Sequence, residues 1–151
     1  MDATEQLEQQ RDDVRKAAEE ILAGAEKALP GSTANSVGRW DGCESAFPEG
    51  FKSFQYVGQA KVEVDPASTA EPPYLDPLVP VLEDAGFTTE APAEEPNGWM
   101  SLTGTNGDIS AAFVHTGAGA FVALTISGPC VDVPKKDRDA WQSRHDPAPL
   151  R

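Results

Sequence analysis

The stretch WMSLTGTNGDISAAFVH, residues 99–115, restricts the folds open to this chain more than any other. Asn106-Gly107 falls between two runs of alternating apolar and polar residues, the strongest short-range hairpin signal. A turn on these two residues sets Gly104 opposite Ile109, Leu102 opposite Ala111 and Met100 opposite Phe113, with Trp99 opposite Val114 on the other face. A second turn at Gly117-Ala118 sets Phe113 against Val122, Ala111 against Leu124 and Ile109 against Ile126. Both turns select the same apolar face, and a slip of one residue in either would send that face to solvent. An antiparallel meander of three strands is therefore expected.

The segment FQYVGQAKVEV, residues 54–64, alternates in the same way. Phe54, Tyr56, Ala60, Val62 and Val64 share one side, and Gln55, Gln59, Lys61 and Glu63 the other, as in a strand with one wet face. Gly58 falls on the apolar side, where a bulge or a close packing contact suits it. Residues 36–41 hold a shorter strand around Val37 and Trp40.

Helical spacing governs two other segments. Over residues 4–29, Leu7, Val14, Ala18, Ile21, Ala25 and Ala28 recur every three, four or seven positions, with Thr4 as N-cap and Pro30-Gly31 as the stop. The first half carries only Leu7 and Val14 on this stripe, so residues 1–15 are expected to project from the body. In YLDPLVPVLEDAGF, Asp76 caps a helix beginning at Pro77, Leu75, Leu78, Val79 and Leu82 form its apolar side, and Gly86 takes the C′ position. Residues 16–130 then form one α+β domain. It is a two-layer fold, a mainly antiparallel twisted sheet of about five strands with two helices on one face. Residues 131–151 are charged and proline-flanked, and read as a flexible tail that Trp141 alone could dock.

Charge and cysteine usage bear on compartment. Twelve basic against 25 acidic residues give a net charge of −13. That disfavours nucleic acid, whose phosphates want a basic surface, so no nucleic-acid partner is expected, and it disfavours docking on anionic lipid. No apolar run is long enough to span a bilayer. The two cysteines, Cys43 and Cys130, are 87 residues apart, one after the first strand and one after the last. In a reducing cytosol both stay thiols; in an oxidising compartment an even pair in a small domain favours a bridge. Closing so long a loop stabilises by about 4–5 kcal/mol in the chain-entropy model. A disulfide between Cys43 and Cys130 is the expectation, tying the N-terminal edge of the sheet to its C-terminal edge.

An acidic helix ending EKALPG, then GRWDGC, the aromatic-rich strand FKSFQYVGQAKVEV, a short helix LVPVLEDAGF and a meander ending in Cys follow one another. This order resembles small secreted proteins and lipoproteins of high-GC actinobacteria, over about residues 16–130. The resemblance implies an extracytoplasmic, cell-envelope location and no particular activity. MDATEQLEQQ is acidic and polar, unlike a secretory signal, so a membrane tether requires a lipidated segment preceding Met1.

No nucleophile elbow, phosphate-binding loop or dinucleotide fingerprint is present. TGAGAF joins two strands rather than opening a helix, TNGD is explained by the hairpin turn, and His115 and His145 are too far apart in sequence to suggest a zinc set. His115 reads as a histidine at the edge of the core. No catalytic residue, metal site or cofactor is expected. The candidate binding face is the second face of the meander, with Trp99, Val114 and Phe121 among small polar residues. Domains usually bury such patches, so cover by the long helix, the tail or the proline-rich joint at 66–73 is the plainer expectation. Left open, the face would take an apolar ligand or a protein partner. The leading functional expectation is a non-enzymatic binding or accessory module of the bacterial envelope. Alternatives are an acidic inhibitor or immunity-like protein binding a basic partner, and a hydrolase with a discontinuous active site.

Overall fold

A carboxylate sets the start of the first helix. Asp2 accepts the Glu5 N–H at 2.8 Å and caps α1 (Ala3–Ala28), one residue pair earlier than the Thr4 cap suggested by the pattern. The computed structural model describes residues 1–44 and 50–151. α1 lies along the sheet for its whole length: Leu7, Val14, Ala18, Ile21, Leu22 and Ala25 are fully buried. The expected projection of residues 1–15 is thus corrected. The thin apolar stripe is completed by Gln10, which is buried through hydrogen bonds rather than hydrophobicity.

Next come β1 (Gly31–Gly42) and β2 (Ser53–Val64), a 3-10 turn (Asp76–Leu78) leading into α2 (Val79–Asp84), and the two-residue strands β3 (Thr88–Thr89) and β4 (Ala93–Glu94). β5 (Met100–Asn106), β6 (Ile109–His115) and β7 (Phe121–Ser127) form the meander, and β8 (Val131–Asp132) and α3 (Arg138–Gln142) follow. Among the described residues the sheet has eight antiparallel strands and three α-helices accompany it, so the expected α+β class holds and the expected counts of about five strands and two helices are low. Its order is β1-β2-β7-β6-β5-β3, with β4 also on β5 and β8 on β2. The missed strands are two residues long, too short to show a period.

β1 is twice the expected length because a bulge between Ala34 and Val37, with Asn35 at φ 51°, resets its register on β2. In the meander Gly104 faces Ala111, Leu102 faces Phe113 and Met100 faces His115. The turn is Gly107-Asp108 rather than Asn106-Gly107, with Gly107 alone at positive φ, as glycine supplies at the first central position of a type II′ turn. On the next strand pair Phe113 faces Leu124 and Ala111 faces Ile126. Both registers differ by two residues from the expected ones. A shift of two preserves the side-chain period, so the buried face is the anticipated one.

α2 begins without a side-chain cap; the Asp76-Pro77 pair sits instead in the 3-10 turn ahead of it. It ends as the sequence suggests, with Gly86 at φ 93°. The Gly86 N–H reaches Glu83 C=O and the Phe87 N–H reaches Leu82 C=O, each at 3.0 Å, a Schellman closure. The C-terminal segment is packed rather than loose: Val133, Trp141 and Leu150 are buried. Trp141 meets Trp40 edge-on at 5.1 Å, and the Arg144 guanidinium lies over both rings. Charged residues contribute to this packing through their flat or aliphatic parts, which composition alone conceals.

Candidate functional site

Among the described residues no helix covers the second face of the meander, although Ser101 on it is buried. α1, α2 and Trp141 all pack on the first face, against Tyr56, Phe54, Trp40 and the apolar side of the meander. Just after the proline-rich joint, Tyr74 also turns inward, its ring edge-on to His115 at 5.3 Å. α1 and the part of the tail around Trp141, two of the elements expected to cover the second face, therefore lie on the first.

Alternation places Ser101, Thr103 and Thr105 of β5 on the open face, beside Ser110, Ala112 and Val114 of β6 and Phe121, Ala123, Thr125 and Ser127 of β7. None is charged, in a chain with 37 charged residues, 12 basic and 25 acidic. The outer side of α1 is the contrast, with Glu5, Asp12, Asp13, Lys16, Glu19 and Glu20 all exposed. The charges of this face begin on β2, where Lys61 and Glu63 stand beside Ala123 and Phe121.

Val114 stands between Ser101 and Ala123 at the centre of this face. Trp99 and Phe121 lie at one end of it, each diagonal to Val114 across a neighbouring strand; the expected direct pairing of Trp99 with Val114 is replaced by Ser101. Trp99 is held by the β4–β5 turn: Asn97 Oδ1 accepts its N–H at 3.0 Å, its C=O accepts the Glu95 N–H at 2.7 Å, and Gly98 has φ 87°. Its side chain is 43% exposed, which among the described residues only Met1 exceeds for a large apolar group. Phe121 is half-buried and carries the Lys61 ammonium 4.0 Å over its ring, so this aromatic already has a cation partner.

The titratable groups have structural uses. His115 is buried on the first face; Nδ1 accepts the Gly117 N–H at 3.2 Å, which leaves Nε2 as donor to Gly119 C=O at 3.3 Å. The ring thereby organises the β6–β7 turn. Glu44 Oε1 accepts the Lys52 and Ser53 N–H groups at 2.8 and 2.9 Å, and Oε2 accepts the Ser53 hydroxyl at 2.7 Å. The Ser53 backbone, then its hydroxyl, hold this carboxyl down at about 2. Among the described residues no group of three or more His, Cys, Asp or Glu side chains is placed to hold a metal.

Cys43 and Cys130 form a disulfide. Its architecture differs from the expected edge-to-edge tie, because β7 is a central strand. The bridge instead joins the end of β1 to the residue before β8, the two strands that flank the start of β2 at Phe54. Sequence reasoning paired the cysteines but missed Gln10 and Glu44; polar residues buried or pinned by long-range hydrogen bonds leave no periodic signal.

Fold and site together define a disulfide-bridged α+β two-layer protein with one helix-covered and one open sheet face. Comparison with protein-family models, with curated proteins and with solved structures returns no match.

Proposed function

We propose that this protein is a non-enzymatic, extracytoplasmic binding module of a bacterial envelope that works through its open sheet face. The observation that carries the reading is the uncharged field around Val114, with exposed Trp99 at its end, in a chain of net charge −13. A partner docked there loses little charge solvation, and the small hydroxyl side chains allow close approach. The disulfide supports an oxidising compartment. Among the described residues no helix is long and apolar enough to cross a membrane. The sequence resemblance to secreted actinobacterial proteins supports the envelope as the place of action.

The net charge also favours a second reading, an acidic inhibitor of a basic protein, and salt separates the two. Binding to isolated actinobacterial envelope material is measured for the unmodified protein and for Val114→Glu and Thr125→Glu, both on the open face. The proposed reading expects at least tenfold weaker binding by each variant and little change up to about 0.5 M salt. Unaltered binding by both variants overturns the assignment of the face. Loss of binding in salt transfers the function to the acidic surface.

A further inference from the structure

The main chain of residues 144–151 follows a sheet edge, and only Leu150 reaches in over the first face. These residues run along the outer edge of β1, between that strand and α1. Gly38 and Ala148 form an antiparallel bridge: the Gly38 N–H donates to Ala148 C=O at 2.8 Å and the Ala148 N–H to Gly38 C=O at 3.0 Å. The Trp40 N–H donates to His145 C=O at 3.0 Å. Ser36 Oγ accepts the N–H groups of Leu150 and Arg151 at 2.8 and 3.0 Å.

Side chains add selectivity to this main-chain pairing. Leu150 is buried in a socket floored by Gly58, where even a Cβ would stand 2.8 Å from the leucine Cδ1. From α1, Arg15 donates to Pro149 C=O at 2.7 Å, and Glu26 accepts from Arg151 Nε at 2.8 Å. Backbone bonds to a strand edge, one apolar socket and one charge partner are the elements of peptide recognition by strand addition.

The segment is built to release. It lies outside the loop closed by the disulfide. Leu150 is its one buried residue, Asp146 is held at φ 43°, and Pro147 and Pro149 after it have no N–H to pair with β1. Trp141, buried upstream, keeps it nearby when it opens. Opening unseats Leu150 and lifts the Arg144 guanidinium from the Trp40 and Trp141 rings, while every other residue of the segment is already partly or fully exposed, which places it below the central strands in stability.

We propose that this groove is a peptide-acceptor site for an extended segment of a partner protein bearing an apolar side chain followed by a cation, and that residues 144–151 are the resident competitor of that ligand. The site is separate from the open sheet face. Glu8, paired with Arg144 at 3.5 Å, and Glu26 supply the negative ends of the groove, and the net charge of −13 steers basic segments toward it. A tethered resident acts at an effective concentration on the order of millimolar, so an outside segment binds at full affinity only when the resident is weakened.

The test uses the full chain carrying Leu150→Asp and a fluorescein-labelled peptide of the sequence of residues 143–151, read by fluorescence anisotropy. The peptide binds this variant at least tenfold more tightly than the unmodified protein, and adding Ser36→Ala weakens it at least fivefold. Equal binding to variant and unmodified protein, or equal binding of a scrambled peptide, overturns the proposal. Hydrogen exchange on the unmodified protein decides the matter independently should Leu150→Asp fail to fold. The Gly38, Trp40 and Ala148 amides exchange together, at least a hundredfold faster than those of Phe113 and Leu124. Protection equal to that of the central strands overturns the proposal.

Discussion

The Gln10 side-chain oxygen accepts the backbone N–H of Tyr56 at 2.6 Å, so a helix residue supplies a rung of the β2 ladder. Its other end donates from Nε2 to Pro129 C=O at 2.8 Å. β2 pairs with β7 as far as Val57–Ser127 and with β8 from Phe54–Val131, and Gln10 fills the interval between the two partners. Gly128 makes room: a Cβ there would lie 2.1 Å from Gln10 Cδ.

Replacing Gln10 by Leu keeps the bulk and strands a buried backbone donor. The expected cost is about 2–3 kcal/mol in urea denaturation. Gly128→Ala is destabilising alone, because the added methyl displaces the Gln10 amide. In the Gln10→Ala background that methyl has space, so the double-mutant cycle yields a coupling of about 1–3 kcal/mol. Additive losses would show that the amide and the glycine are not one unit.

The disulfide closes around the same region, with Phe54 paired both to Gly42 before Cys43 and to Val131 after Cys130. The Cys43→Ser, Cys130→Ser double variant is expected to lose about 4–5 kcal/mol, on the order of half the margin of an ordinary domain. Thiol titration of the unfolded, unreduced protein finds no free SH. Two titrating thiols in material isolated under oxidising conditions would remove the main support for an extracytoplasmic location.

Acid stability depends on Glu44. Its folded-state pKa of about 2 lies below the ordinary value of 4.5, so its stabilisation is complete above that value and disappears as pH falls through about 2. The melting temperature of the unmodified protein should therefore drop across this interval by more than that of Glu44→Gln. The two curves converge toward pH 2, and the variant is the less stable at neutral pH. Curves that run parallel across the interval would mean that the Glu44–Ser53 contacts do not persist in solution.

What could be read in advance follows from the range of each determinant. The buried face of the meander was legible because alternation has a period of two, and it survived a register displaced by two residues at each turn. The turn itself was not, because Asn106-Gly107 and Gly107-Asp108 are both competent turn pairs and the choice rests on Ile109 pairing with Asn106. The open face was legible as a set of positions, while its exposure depends on where α1, Trp141 and Tyr74 pack. Residues 1–15 and 131–151 read as loosely attached because their few apolar anchors are widely spaced and the rest are polar: Gln10 enters the sheet, Arg11 and Arg144 stack on Trp40, and Arg15 bonds Tyr56. A hydrophobic pattern is blind to burial achieved through guanidinium planes and amide bonds.

The packing of Trp141 makes the strongest test of the C-terminal segment. The side chain is 3% exposed, edge-on to Trp40 and 6.0 Å from Phe54 between ring centres. Trp141→Ala removes this contact and the ring beneath the Arg144 guanidinium together. The expected loss is about 3–5 kcal/mol, as for truncation of a buried aromatic. Trp99→Ala, on an exposed ring, stays within about 0.5 kcal/mol of the unmodified protein. Because residues 144–151 are held near β1 through Trp141, its removal also accelerates exchange of the Gly38 amide beyond the effect of global destabilisation. A Trp141→Ala protein as stable as Trp99→Ala would mean that the segment after β8 contributes nothing to the fold, and that β1 is an unprotected sheet edge.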